Sequence, residues 1–444
     1  MPRVNHPKPV RALVLVLVVV FLAACANLAR AQQLTVTPDH ADGVYGVGQT
    51  VRWRVQWDGG GAPTTPAQYV VKKGGLTDAD QGTLTFADGA ATVEARLDEP
   101  GTLLLVVRAK SADGKDRKAV GGAVAAPEKI APSSERPADF DAWWDAKIQS
   151  LASIPPNPQF EPGDAGKPNV RYAKITLDNI NDTKIRGQLA RPETGEKFPA
   201  VLIVQWAGVY PLQKGWAVDR AADGWLALNI LAHDLPIDEP ESFYKEQSSG
   251  PLKDYPAIGN DDRETSYFLR MYLACYRAAE YLATRPDWDG KTLVVMGGSQ
   301  GGQQTLVTAA IHPKITAAMA NVPAGCDMLG PAIGRQGGWP MWYWQVKDGK
   351  DAAKVREASR YFDVVNFAPR ITAPVLVGIG LIDETCPPAG IFAATNRITS
   401  PKEVILMPRA GHQNEKGSQE PYDKRLWGAW LPALKQGQPA PTGR

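Results

Sequence analysis

The chain has 444 residues, 44% of them hydrophobic and 22% charged, with 49 basic against 47 acidic side chains. This is the composition of a core-forming globular protein long enough for two or three domains. A balance this close to neutral offers no case for nucleic acid as a partner, because phosphate recognition needs clustered positive charge.

Arg3, Lys8 and Arg11 precede an apolar run from Ala12 to Ala24. The pattern is that of a secretory signal peptide over residues 1–31, short for a bilayer-spanning helix. Two processing sites compete. Leu22-Ala23-Ala24-Cys25 resembles a bacterial lipobox, which would leave a lipid anchor on Cys25, whereas Ala29-Arg30-Ala31 before Gln32 fits ordinary signal peptidase. Both routes export the protein, to the periplasm or beyond; removal of residues 1–31 leaves 45 basic against 47 acidic residues. Cys275, Cys326 and Cys386 then remain. Three cysteines cannot build a disulfide framework, and none has metal-ligand spacing.

Residues 33–127 read as all-β. Val51-Arg52-Trp53-Arg54-Val55-Gln56-Trp57 alternates strictly, so one face is buried and the other wet. Similar runs follow at Gln68–Val71, Thr83–Phe86, Thr92–Leu97 and Leu103–Val107, separated by turn clusters such as Asp88-Gly89 and Asp113-Gly114. Short strands at this spacing predict an immunoglobulin-like sandwich. Trp53 and Trp57 share the face of Val51 and Val55, which favours a packing domain over a carbohydrate-binding module.

A linker spans 128–138, with Pro132, Ser133, Ser134 and Pro137, and a second domain spans 139–436. Its first helix runs from Phe140 to Leu151 and is stopped by Pro155-Pro156. Beyond it, the apolar runs Ala200–Val204, Leu226–Ile230, Leu293–Met296, Ala317–Asn321, Val375–Ile379 and Glu403–Met407 alternate with helical stretches, the longest at about 263–284. That pattern predicts a doubly wound, mostly parallel α/β sheet.

The most informative stretch is Gly297-Gly298-Ser299-Gln300-Gly301-Gly302, placed between the apolar strand ending at Met296 and a helix reaching Ile311. A strand, a sharp glycine-rich turn exposing one serine, and a helix form the nucleophile elbow of α/β-hydrolases. Serine is a weak nucleophile until a base takes its proton, and the base needs an orienting carboxylate. Of five histidines, His6 lies in the signal, His40 in the β region, and His312 at the far end of the elbow helix. His233 precedes the serine and reads as a structural histidine. His412 follows the last strand and fits the chain order serine, acid, histidine. Asp383 closes the strand before it, with Glu384 as its neighbouring rival. Two N–H groups should face the oxyanion: Gln300, after the nucleophile, and Ala207, in Gln205-Trp206-Ala207-Gly208 after an early strand.

Together these segments resemble the acetyl xylan esterase and cephalosporin C deacetylase family, carbohydrate esterase family seven, over roughly residues 136–432. Its most specific matches are the elbow, Tyr361-Phe362-Asp363-Val364-Val365-Asn366-Phe367-Ala368, Gly380-Leu381-Ile382-Asp383-Glu384-Thr385-Cys386-Pro387-Pro388 and Gly411-His412. The resemblance implies Ser299, Asp383 and His412 as catalytic triad, acetylated oligosaccharides or polysaccharides such as xylan as substrates, and a homo-oligomer that the added β domain can alter. It implies no metal and no organic cofactor. Three departures stand out. Gln205-Trp206-Ala207 replaces the family's His-Gly-Tyr, and Gln413 replaces the glutamate after the histidine. The family's Arg-Gly-Gln has no counterpart in its usual place; those letters at Arg186-Gly187-Gln188 read as coincidence. The aromatic run Trp339-Pro340-Met341-Trp342-Tyr343-Trp344 could stack on sugar rings or pack a lid or subunit contact, and it nominates Trp342 and Trp344, with Trp206, for substrate binding. A feruloyl or general carboxylesterase, a peptidase of the same fold and a non-catalytic glycan-binding protein are the competing functions.

Overall fold

The computed structural model describes residues 33–58, 63–347 and 349–443. The expected signal peptide, with His6 and Cys25, lies outside the described residues.

Two sheets face each other near the N-terminus. Thr50–Asp58 pairs antiparallel with Gln33–Pro38 and Ala90–Arg96. The second sheet orders Val44–Tyr45, Asp116–Ala125, Gly101–Lys110, Ala67–Lys73 and Thr77–Leu84. Trp53, Val55 and Trp57 project from the first sheet onto Val71, Leu105 and Val107 of the second and form the sandwich core. The alternation in 51–57 therefore has the consequence expected of it, and both tryptophans are packed inside.

The outer face of the five-stranded sheet is also covered. Along Gly101–Lys110, residues 101–107 are buried without a break. Along Asp116–Ala125, Ala123 belongs to the sandwich core while Val124 belongs to the core of the second domain. A strand buried on both faces reads as a continuous apolar run, as Leu103–Val107 does. The connecting segment is likewise laid against the second domain. Ile130 is buried, and Asn396 donates to the carbonyls of Pro127 (2.8 Å) and Ile130 (2.9 Å).

The second domain is built on a nine-stranded sheet in the order Lys402–Met407, Val375–Gly380, Ala317–Asn321, Trp288–Gly298, Phe198–Ile203, Leu226–Ile230, Lys184–Pro192, Val170–Asp178 and Gln159–Gly163. The first six are parallel; the last three are antiparallel. One face carries Phe140–Ala152, Tyr267–Thr284 and the elbow helix Gln300–Ile311, with Trp144, Phe268, Tyr272 and Leu306 in the larger core. The other carries Gly215–Ala222 and the C-terminal helices, packed through Val218, Tyr422, Leu426 and Trp430. Parallel strands covered on both sides place their carboxyl ends, and the loops that follow them, along one rim.

Candidate active site

The strand Trp288–Gly298 and the helix Gln300–Ile311 meet at Ser299, whose backbone sits at φ 57°, ψ −123°. That conformation is strained for any residue with a Cβ, and it turns the side chain out of the elbow. The turn closes only because its flanks are bare. A Cβ on Gly297 would lie 2.7 Å from the Gly301 carbonyl, one on Gly301 2.7 Å from the Val204 oxygen, and one on Gly302 2.9 Å from Pro323. The Ser299 N–H donates to the Asn321 carbonyl at 3.0 Å, tying the elbow to the next strand.

His412 Nε2 stands 2.8 Å from Ser299 Oγ, and His412 Nδ1 stands 2.8 Å from Asp383 Oδ2. The Asp383 side chain is fully buried. Its other oxygen, Oδ1, accepts the N–H groups of Thr385 and Cys386, both at 2.8 Å. The carboxylate is therefore locked in orientation, one oxygen on backbone donors and the other on the imidazole. An acceptor at Nδ1 sets the neutral ring in the tautomer with its proton on Nδ1, which leaves Nε2 a lone pair facing the serine. Glu384, the rival acid, points away and forms an ion pair with Lys118.

The histidine loop is held from behind by a residue that sequence reasoning missed. Gln419 donates to the carbonyls of Gly411 (3.1 Å) and His412 (3.0 Å) and accepts from Asn321 Nδ2 at 2.8 Å. The acid and histidine loops are also laced together through Leu381 N–H to Met407 O (3.1 Å) and Ile382 N–H to Ala410 O (3.2 Å).

A second network fixes the loop after Phe198–Ile203. The Gly208 N–H donates to Tyr255 Oη at 3.3 Å, and the Tyr255 hydroxyl donates to Gln300 Oε1 at 2.5 Å. The Gly208 carbonyl accepts from His233 Nε2 at 3.0 Å, while His233 Nδ1 meets the Tyr267 hydroxyl at 2.6 Å. Because the carbonyl can only accept, the His233 proton resides on Nε2. Burial, with Arg270's charge nearby, lowers its pKa to about 4, so the ring is neutral near neutral pH. His233 is thus structural, as the sequence reading held. Gln205, in the place of the family's histidine, accepts the Ala232 N–H at 3.0 Å and anchors the same loop. Among the described residues neither the Ala207 nor the Gln300 N–H has a hydrogen-bond partner, and Gln300 opens the elbow helix, at its positive end.

Asp383, Cys386 and His412 carry ligand-type atoms within 4.8 Å of one another. Asp383 and His412 are already engaged with each other, and burial pushes the Cys386 thiol well above its usual range. The set is consistent with proton transfer and lacks a ready thiolate for a metal.

The nominated tryptophans divide. Trp206 and Trp344 are 47% and 46% exposed, whereas Trp342 is completely buried against Phe268 and Phe362. Trp342 is a core side chain, and its nomination as a substrate contact is corrected on that ground. Trp206 stacks on Tyr210 and meets Trp216 edge-on. With Trp216 and Trp427 it walls a pocket of about 440 Å³ whose lining includes Gly297 and Gly298 but none of Ser299, Asp383 and His412.

A mostly parallel sheet with a strained serine at its strand–helix turn, and with aspartate and histidine on the loops after the last two strands, defines an α/β-hydrolase. Residues 128–427 match the acetyl xylan esterase (AXE1) family. The chain is 33% identical over 407 residues, 90% of each protein, to the acetyl esterase Axe7A of Xylanibacter ruminicola. It is similar in structure to the acetyl xylan esterase of Paenibacillus sp. R4 (TM-score 0.58, 24% identity, 68% of this chain and 98% of that one). The same holds for acetyl xylan esterase 1 of Thermoanaerobacterium sp. JW/SL YS485 (TM-score 0.57, 21% identity, 66% and 94%). The protein belongs to the acetyl xylan esterase family.

Proposed function

We propose that the protein is an exported serine esterase that removes acetyl groups from acetylated xylan or related acetylated sugars through an acetyl-enzyme. The observation that carries this reading is the unbroken chain Ser299 Oγ–His412–Asp383, two contacts of 2.8 Å each. Ser299 Oγ attacks the acetyl carbonyl as its proton passes to His412 Nε2, and Asp383 holds the imidazolium that forms. The carbonyl oxygen, now negative, is met by the N–H groups of Gln300 and Ala207; loss of one such donor typically costs about 10²–10³ in rate. His412 returns the proton to the departing sugar hydroxyl, leaving the acetyl group on Ser299. Water, activated by the same imidazole, then releases acetate.

The family match and the name of the Xylanibacter ruminicola relative support acetyl esters as substrates. The exposed indoles of Trp206 and Trp344 suit the flat apolar face of a pyranose ring. Export follows from the N-terminal pattern, and the mass of the mature N-terminus distinguishes a lipid on Cys25 from cleavage after Ala31. The test is acetate release from acetylated xylan and small acetylated sugars by wild type and Ser299→Ala, alongside butyryl and feruloyl esters. Acetate release confined to the wild type supports the reading. Faster turnover of the bulky acyl esters would replace it with a general or feruloyl esterase.

A further inference from the structure

The β sandwich does not merely precede the second domain; it is seated on the loops that carry the acid and the base. Gly122 meets the acid loop so closely that a Cβ there would lie 2.3 Å from the Leu381 carbonyl oxygen, two residues before Asp383. A Cβ on Gly43 would lie 2.6 Å from Leu381 Cδ1 and 3.8 Å from Pro408, in the loop that leads to His412. Lys118 forms its ion pair with Glu384, one residue beyond Asp383. On the other side the Gly74 carbonyl accepts the Gln336 N–H at 2.8 Å, and Thr77 Oγ1 donates to the Gly334 carbonyl at 3.0 Å. The segment so held returns to the acid loop, where the Trp339 N–H donates to the Thr385 carbonyl at 2.8 Å. The contacts at Leu381, Glu384 and Thr385 thus fall within two residues of Asp383.

We infer that the β sandwich is a positioning element for the Asp383–His412 pair, with Gly122 and Lys118 as the residues through which it acts. The inference rests on the assignment of Asp383 as the catalytic acid. Leu381 is held at both backbone groups, sandwich backbone against its carbonyl and the Met407 carbonyl on its N–H, and this steadies the angle of the carboxylate to the imidazole. The solved acetyl xylan esterases are matched over 94–98% of their own length by about two thirds of this chain, and the family match begins at residue 128. The alignment with the Xylanibacter ruminicola relative is longer than the family match and extends beyond it. The sandwich is therefore an addition to the family fold, placed where it bears on the reacting groups.

Adjacent glycines supply the test. Gly121 faces the other way, and a Cβ there would lie 2.4 Å from Val36 and 2.8 Å from Trp53 inside the sandwich. Gly121→Ala therefore strains the sandwich alone, while Gly122→Ala strains the acid loop. In the full-length protein, Gly122→Ala is expected to lower kcat about tenfold with KM unchanged and to shift the pH–rate profile, whereas Gly121→Ala lowers Tm and leaves kcat and the profile in place. Lys118→Glu, at a partly exposed site unable to unfold the chain, is expected to lower kcat severalfold at low salt. Adding Glu384→Lys should restore it. Wild-type kcat in Gly122→Ala, equal effects from the two glycines, or no rescue by the charge swap would overturn the inference. If Asp383→Asn also keeps full activity, the acid assignment itself fails; if Asp383→Asn is inactive, only the positioning role does.

Discussion

Replacing Asp383 by asparagine tests the acid in a way the local hydrogen bonds make specific. Asp383 Oδ1 accepts two backbone N–H groups, from Thr385 and Cys386, each at 2.8 Å. An asparagine must leave its carbonyl oxygen there, because turning the amide would point N–H against N–H and orphan two buried donors at about 1–3 kcal/mol each. Its NH₂ then faces His412 Nδ1, now 2.8 Å from a carboxylate oxygen. A donor at that place makes Nδ1 the acceptor and moves the ring proton to Nε2, the nitrogen facing Ser299 Oγ. The base arrives already protonated. Recovering the useful tautomer costs the two orphaned donors, about 2–6 kcal/mol, so kcat should fall by between about 30-fold and about 10⁴ with KM little changed. Initial-rate acetate release provides kcat and KM, and the ¹⁵N shifts of His412 report the tautomer. A variant that keeps more than about a tenth of wild-type kcat, or whose His412 retains its proton on Nδ1, would refute this reasoning.

Other consequences are as direct. Burial holds the folded His233 pKa near 4 against an ordinary 6.5, so the unfolded chain binds the extra proton first. The stability this group contributes is complete above pH 6.5 and is lost as pH falls toward 4, by about 3 kcal/mol; denaturation midpoints from pH 4 to 8 should show that slope, and His233→Gln should flatten it. Gln419→Ala removes two bonds to the histidine loop carbonyls and should lower kcat by up to about 30-fold, at about 1 kcal/mol per bond, with KM unchanged by steady-state kinetics. Trp342→Ala should cost about 3–5 kcal/mol in chemical denaturation, as a large buried aromatic does. Trp344→Ala should stay within about 0.5 kcal/mol of wild type and raise KM for acetylated xylan more than for a small acetate ester.

The parallel half of the sheet was legible because each of its strands is buried on both faces and reads as an unbroken apolar run. The antiparallel strands Gln159–Gly163, Val170–Asp178 and Lys184–Pro192 escaped notice, the first exposed throughout and the other two interrupted by charged residues such as Lys174 and Arg186. The strand Asp116–Ala125 was hidden for the opposite reason. Its Gly121-Gly122 pair is a poor strand former, and the close approaches on both sides that demand it are invisible along the chain. Ser299, His412 and Asp383 could be paired from their order and from the strands they follow. Gln419, Tyr255 and Gln205 could not, since each acts through hydrogen bonds to backbone groups or side chains distant in sequence. Tyr361–Ala368, one of the more specific motif matches, turned out to serve packing. Buried Asp363 caps the helix at Val365 N–H and accepts the N–H groups of Asp327 and Met328, and burial with the charge of Asp327 pushes its pKa up to about 8.

The central claim is that the Ser299 hydroxyl becomes the acetyl carrier. Rapid acid quench of the enzyme during turnover of an activated acetate ester, followed by peptide mass analysis, tests it without intermediaries. The account predicts one acetyl group on the peptide holding Ser299, formed in a burst and absent in Ser299→Ala. Steady turnover with no acetylated serine, or acetate release undiminished in Ser299→Ala, would contradict it.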